Sequence, residues 1–446
     1  MTTIQLMHNK KTMRVKVAKM TVYKQAKIIE ATSKKNQTYY LFFYKDRYIN
    51  AKKTTSIKLQ SFLKTALQSG ISFAGNHPLI HVLLQEDTYR LTANNQMVQK
   101  LSNKYSELET LYILAMFDNY VNNKKITALC KNTFYNYRRN GQLKKAFRII
   151  ANYAQVRPHD PFVKEMLQHF DFQKYKEQYR NLDQLTKEWS DPLYLESVYF
   201  EQHFPESVIN TFIEQYDKEK RKFDLLLLTF IKCTSKNMVI KLEQLITEQL
   251  DKEDQIALWG EVLTQYPKPQ EIIDILVKVE GYSEILHYYL HHTEAINDRA
   301  LFEKVLTMAS SKRLATNYRA VLHALIYVYK NDTAQLERTL HQTIKKLLPH
   351  LSLKEIITEL KNTELPIMQK LQKMDQFSDN PDKQFALGEI YFDLEQYDQA
   401  IACFEWEMEL SPNDPAPIQY LYKSYLAKGD QTQANNYKQL MTNISS

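Results

Sequence analysis

The sequence predicts a mainly α fold: a solenoid of stacked helical hairpins preceded by a small β-rich module. Three observations predict it. From about Asn95 onward the apolar residues recur at helical spacing, and within residues 380–446 the same small and large apolar residues return after 34 positions. Residues 1–92 instead alternate at the period of a strand. These patterns divide the chain into residues 1–92, 93–379 and 380–446.

In the first segment Met13, Val15 and Val17 alternate with Arg14, Lys16 and Ala18, and residues 38–44 form the aromatic run TYYLFFY between polar flanks. Both read as strands. Residues 54–59 and 87–92 are further strand candidates, and residues 61–68 read as a helix. Leu101, Tyr105, Leu108, Leu111, Tyr112 and Ala115 then follow helical spacing. Residues 224–231, 241–250, 269–279 and 319–329 can each lay an apolar stripe on a neighbouring helix. Turn punctuation separates them at Ser190-Asp191-Pro192, Tyr266-Pro267-Lys268-Pro269, Gly281 and Leu348-Pro349. Only 7 glycines and 13 prolines occur in 446 residues, which also favours helix.

The most specific stretch is residues 380–412, NPDKQFALGEIYFDLEQYDQAIACFEWEMELSP. Leu387, Gly388 and Tyr391 suit the first helix of a hairpin, Ala400 and Phe404 the second, and Pro412 the terminator. Leu421, Tyr425 and Ala434 lie 34 residues after Leu387, Tyr391 and Ala400, with Gly429 and Asp430 at the intervening turn. A partial copy keeps Tyr137, Gly141, Ala146, Ile150 and Pro158 in order. This stretch resembles a tetratricopeptide repeat. The composition, rich in lysine, asparagine, glutamine and tyrosine, resembles that of such proteins from low-GC Gram-positive bacteria. The chain departs from the family pattern at Gln384, Glu407 and Tyr422.

The resemblance implies a partner groove lined from the first helix of each repeat. By position its residues are Asp382, Phe385, Glu389, Phe392 and Asp393, then Gln419, Lys423, Leu426 and Ala427. The family's clamp for chaperone tails has lysine and asparagine where this chain has Phe385 and Glu389, so a carboxylate-terminated peptide is not expected. An apolar segment flanked by basic residues suits this groove better. The resemblance also implies a tight contact of Gly388 with Ala400.

Apolar content of 44% and charged content of 25% describe an ordinary folded chain. The longest apolar run, residues 225–231, is far shorter than a membrane span, and the N-terminus turns polar almost at once. A cytoplasmic location is expected. Cys130, Cys233 and Cys403 are odd in number and far apart, which suits small apolar positions in a reducing compartment. The net charge of +8 is uneven: residues 1–60 hold 14 lysines and arginines against Glu30 and Asp46, leaving 45 basic and 49 acidic groups in the remainder.

No catalytic constellation, phosphate-cradling loop or nucleophile elbow is present, and no cofactor or enzymatic activity is expected. His287, His291, His292 and Glu294 approach metal-ligand spacing without a third ligand fixed by the sequence, so no metal site is assigned. Glu405, Glu407 and Glu409 scatter round a helix as solvated positions. Tyr39, Tyr40, Phe42, Phe43, Tyr44 and Tyr48 among lysines suggest a stacking surface for single strands. The competing reading makes these aromatics the inner face of a small sheet, and it is preferred because no RNP-like or helix-turn-helix pattern accompanies the charge. The expected function is a protein-binding scaffold or adaptor. Its alternative is a regulator that pairs a nucleic-acid-binding N-terminal module with a helical sensor.

Overall fold

The computed structural model describes residues 2–444 apart from Lys10, Asn362, Glu364 and Asn413. The chain divides into two compact units, Met1–Leu258 and Trp259–Ser446.

The first unit begins with seven strands: β1 (Thr3–His8), β2 (Lys11–Tyr23), β3 (Ala26–Ser33), β4 (Thr38–Tyr44), β5 (Arg47–Thr54), β6 (Ile71–Ala74) and β7 (Thr88–Arg90). They form one sheet in the order β5-β4-β3-β2-β1-β7, with β6 on the C-terminal half of β2. All pairs are antiparallel except β1 with β7. The sheet curls until β5 approaches β7, where side chains complete the closure. Asn50 Nδ2 donates to the Thr92 carbonyl (3.0 Å) while the Thr92 amide donates to Asn50 Oδ1 (2.9 Å), so a side-chain amide takes the part of a peptide group. Tyr48 Oη donates to the Arg90 carbonyl at 2.9 Å.

The strands expected at residues 13–17, 38–44 and 87–92 and the helix at 61–68 are present, the helix as α1 (Phe62–Ser69). The strand expected at 54–59 is not. That stretch is a loop, and the strand is β5, which ends at Thr54. Both faces of β4 are covered, which explains its unbroken aromatic run. Phe43 packs inside the curled sheet against Tyr89, with ring centroids 5.8 Å apart, while Phe42 packs outward on Phe117 at 4.5 Å.

Helices follow from α2 (Pro78–Leu83) onward: α3 (Asn94–Lys104), α4 (Glu107–Met116), α5 (Asn123–Arg139), α6 (Leu143–Val156) and others up to the end of the described chain. The single helical stripe from Leu101 to Ala115 is cut in two. Ser106 and Glu109 form a reciprocal capping box, which starts α4 afresh. The hairpin of α5 and α6 turns at Gly141, whose φ of +72° suits glycine, and buries Ala146 and Ile150. The three cysteines are buried and unpaired.

Two tight hairpin tips of the sheet enter the helical part of this unit. At the β2–β3 tip, Lys24 Nζ meets Glu201 and the Gln155 carbonyl, each at 2.7 Å. Gln25 donates to the Leu193 carbonyl and accepts from Tyr112 and Ser197. At the β4–β5 tip, Asp46 accepts from the Phe223 amide (3.0 Å) and lies 3.7 Å from Lys27 Nζ. Lys27, fully buried, pairs with Asp224 at 2.5 Å. Arg221 joins Asp224 (2.7 Å) to Glu196.

This buried set holds Lys27 and Arg221 against Asp46, Asp224 and Glu196, one carboxylate more than its cations neutralise. Burial and the facing Asp224 push the Asp46 carboxyl up to about 7. Burial also works against an ionised Asp224, but Arg221 and Lys27 outweigh it and hold that carboxyl well below its ordinary range. Because the folded pKa of Asp46 lies above its unfolded value, its contribution to stability is complete below about pH 4 and is lost as pH rises through about 7. Urea unfolding midpoints should therefore fall between pH 5 and pH 8, and Asp46→Asn should remove most of that slope. An equally steep slope in the variant would assign it to other groups.

The second unit is helical throughout its described residues apart from connecting turns. Its C-terminal part is built from four helices, Gln384–Asp393, Tyr397–Leu410, Pro415–Lys428 and Gln431–Ile444, each folded back on the one before by a short turn. The 34-residue recurrence coincides with burial: Leu387 and Leu421, and likewise Ala400 and Ala434, are all in the core. Gly429, at φ +81°, ends the third helix in a left-handed cap. A side-chain carbon at Gly388 would lie 2.7 Å from the Phe404 ring, so Phe404 is its nearest neighbour, and both Gly388 and Ala400 are buried.

Candidate binding groove

Positions four and seven apart place Phe385, Glu389 and Phe392 on one face of the Gln384–Asp393 helix. Gln419 and Lys423 share a face of the Pro415–Lys428 helix. Tyr420, which the sequence reading did not single out, joins the two helices. Its ring lies 5.7 Å from Phe385 and 5.5 Å from Phe392, and stacks on buried Phe404 at 4.8 Å. Its hydroxyl donates to Glu389 Oε1 at 3.0 Å, and Lys423 Nζ sits over the ring, 5.2 Å from its centroid. Burial and this carboxylate raise the Tyr420 hydroxyl pKa. A position 34 residues from Phe385 falls on Gln419, one residue short of Tyr420, and for that reason carry-over by spacing missed it.

Asp393 is exposed and reaches Lys370 Nζ at 3.1 Å, on the preceding helix Pro366–Phe377. Asp382 is exposed in the short turn Pro381–Lys383, where its amide is capped by Asn380. Gln419 and Leu426 are exposed. The structure thus brings Phe385, Glu389, Phe392, Tyr420 and Lys423 together, with Asp393 at one edge. Phe385 and Phe392 are not free-standing groove residues: both are half-buried and pack on the core of Ala400, Ile401, Phe404 and Leu421. Each therefore presents part of a ring to solvent and part to the interior.

Elsewhere the sequence candidates are more dispersed. The His287 and His291 rings are 4.5 Å apart, but His291 Nδ1 is engaged with the His287 carbonyl at 2.8 Å, and His292 faces Glu294. No cluster of three or more potential metal ligands occurs among the described residues. Tyr39, Tyr40, Phe42, Phe43 and Tyr44 are all at most 5% exposed, so their rings are closed to a base. Tyr48 alone of that group is half-buried. Among the described residues no helix is long and apolar enough to cross a membrane.

No family model, curated protein or solved structure matches the chain.

Proposed function

We propose that this protein is a tetratricopeptide-like scaffold or adaptor that holds a segment of another protein against the helices Gln384–Asp393 and Pro415–Lys428. One observation carries the reading: three partly exposed rings, Phe385, Phe392 and Tyr420, form a continuous apolar strip edged by Glu389 and Asp393. A ring cluster rimmed by carboxylates suits a segment with an aliphatic or aromatic anchor and a neighbouring lysine or arginine. Nothing in this surface requires a cofactor, and the role is binding rather than catalysis.

The test is selection of displayed random peptides on the full-length chain. Enriched peptides should share an apolar anchor beside a basic residue. Their affinity should fall about tenfold or more in a Glu389→Lys, Asp393→Lys chain, and by about 1 to 3 kcal/mol in Phe392→Ala, with helical content retained. Selected peptides that bind all of these variants as tightly as the unmodified chain would move the binding surface away from this strip.

A further inference from the structure

The excess positive charge of the N-terminal module separates into two sets. Lys24, Lys27 and Lys45 are spent in ion pairs with the helices, and Lys52 and Lys58 donate to backbone carbonyls. Another set stays free. The pairings Thr3 with Lys16, Gln5 with Arg14, and Gln5 with Thr88 place these side chains on one outward face of β2, β1 and β7. Met7 and Arg90 extend that face, and Lys19 continues it along β2 past the irregularity after Val17. Lys100 and Lys104, one turn apart on α3, flank it.

Among the described residues none of Arg14, Lys16, Lys19, Arg90, Lys100 and Lys104 has an ion-pair partner. Glu30 lies opposite Lys19 and already accepts from the Tyr40 hydroxyl, and Glu86 shares the cavity wall with Arg90, Lys100 and Lys104. Neighbouring strands are about 4.8 Å apart, so the cations span roughly 10 Å across the sheet and further along β2.

Where β5 meets β7 this face opens into a cavity of about 410 Å³, lined by Arg90, Lys100 and Lys104 against the single carboxylate Glu86, with Tyr48 and Tyr105 among its other walls. Tyr48 and Tyr105 are half-buried. The Tyr105 hydroxyl has no hydrogen-bond partner among the described residues. Lys104 Nζ lies 5.8 Å from the Tyr105 ring.

We propose that this face binds single-stranded nucleic acid, with the backbone along Lys16, Arg14 and Arg90 and one nucleotide in the Tyr48–Tyr105 cavity. Unpaired cations interspersed with Thr3, Gln5 and Thr88 match a phosphate backbone, which takes contacts from basic, hydroxyl and amide groups alike. Rings beside the cations add a surface for a base, which a run of carboxylates would not use. A cavity of this volume holds one nucleotide and not a duplex. A bilayer is a poorer fit, because none of the exposed large apolar side chains of the described residues lies on this face.

The test uses the full-length chain and a fluorescently labelled 12-nucleotide oligouridylate, titrated at several salt concentrations. Binding should be micromolar or tighter at low salt, and log K should fall with log salt with a slope of about −3 to −4, as expected for four to six phosphate contacts. Arg14→Glu with Lys16→Glu, and separately Arg90→Glu with Lys100→Glu, should each weaken binding about tenfold or more. Lys354→Glu with Lys373→Glu, an equal charge change at two exposed sites of the second unit, should leave it within about twofold. Tyr105→Phe should keep most of the affinity and Tyr105→Ala should lose about tenfold, separating ring contact from the hydroxyl. Unchanged melting temperatures keep the comparison on binding. No binding at low salt, equal binding by the charge-reversed pairs, or tighter binding of polyglutamate or anionic vesicles than of the oligonucleotide would each overturn the proposal.

Discussion

Replacing Lys27 with methionine should destabilise the protein by about 3 to 5 kcal/mol, the cost of breaking a buried ion pair by removing one partner. Methionine reproduces most of the lysine stem, so the packing on Phe223, whose ring centroid lies 5.4 Å from the ammonium, is largely kept and the loss is electrostatic. Asp224 would retain only Arg221, and Asp46 would face Asp224 with no cation between them. Adding Asp46→Asn to Lys27→Met removes one of the opposed carboxylates and should recover part of the loss. Urea unfolding at pH 7 measures both. A Lys27→Met chain within about 1 kcal/mol of the unmodified protein would show that the ammonium is not the centre of this network.

A Gly388→Leu chain should lose about 1 to 3 kcal/mol through overpacking. The ring that a new side chain meets has no room to retreat, since Phe404 is fully buried, stacks on Tyr420 and packs edge-on against Phe385 at 5.6 Å. Gly388→Ala should show a smaller loss of the same sign. Combining Gly388→Ala with Phe404→Leu should restore part of it, because the smaller side chain vacates the contested space. A melting temperature unchanged by Gly388→Leu would mean that the two helices separate there at no cost. The same change should also disturb the aromatic strip of the proposed groove, since Phe404 supports Tyr420 from below.

The parts of the fold legible in the sequence were those whose pattern repeats locally. The strand at residues 38–44 was readable from composition, and the C-terminal helices from apolar spacing and the 34-residue recurrence. The tight turns were not. Lys24-Gln25 and Lys45-Asp46 carry none of the glycine or asparagine that marks a hairpin, yet Lys24 and Lys45 take left-handed φ values of 54° and 52°. Each turn is held by contacts made far along the chain: Lys24 by Glu201, Gln25 by Leu193 and Ser197, Lys45 by Glu109, and Asp46 by Phe223. No local pattern could announce them, so β3 was not expected at all and the strand expected at 54–59 was placed beyond β5. In the candidate groove, Phe385, Glu389, Phe392 and Lys423 were named by position from the resemblance to a tetratricopeptide repeat, whereas Tyr420 was missed because its role depends on how two helices pack.

The sequence by itself determined where strands give way to helices, which positions repeat in the C-terminal hairpins, and that positive charge collects at the N-terminal end. Each of these is a property of neighbours along the chain, recorded in periodicity and composition. The tertiary structure decided what the charge does. It buries Lys27 against Asp224 and ties Lys24 to Glu201, while Arg14, Lys16 and Arg90 remain in solvent. A lysine's environment depends on which carboxylates folding brings within a few ångströms, and those partners lie up to 197 residues away in Asp224. It also decided that the aromatics of β4 are core, because both faces of that strand acquire a cover that its own residues could not specify.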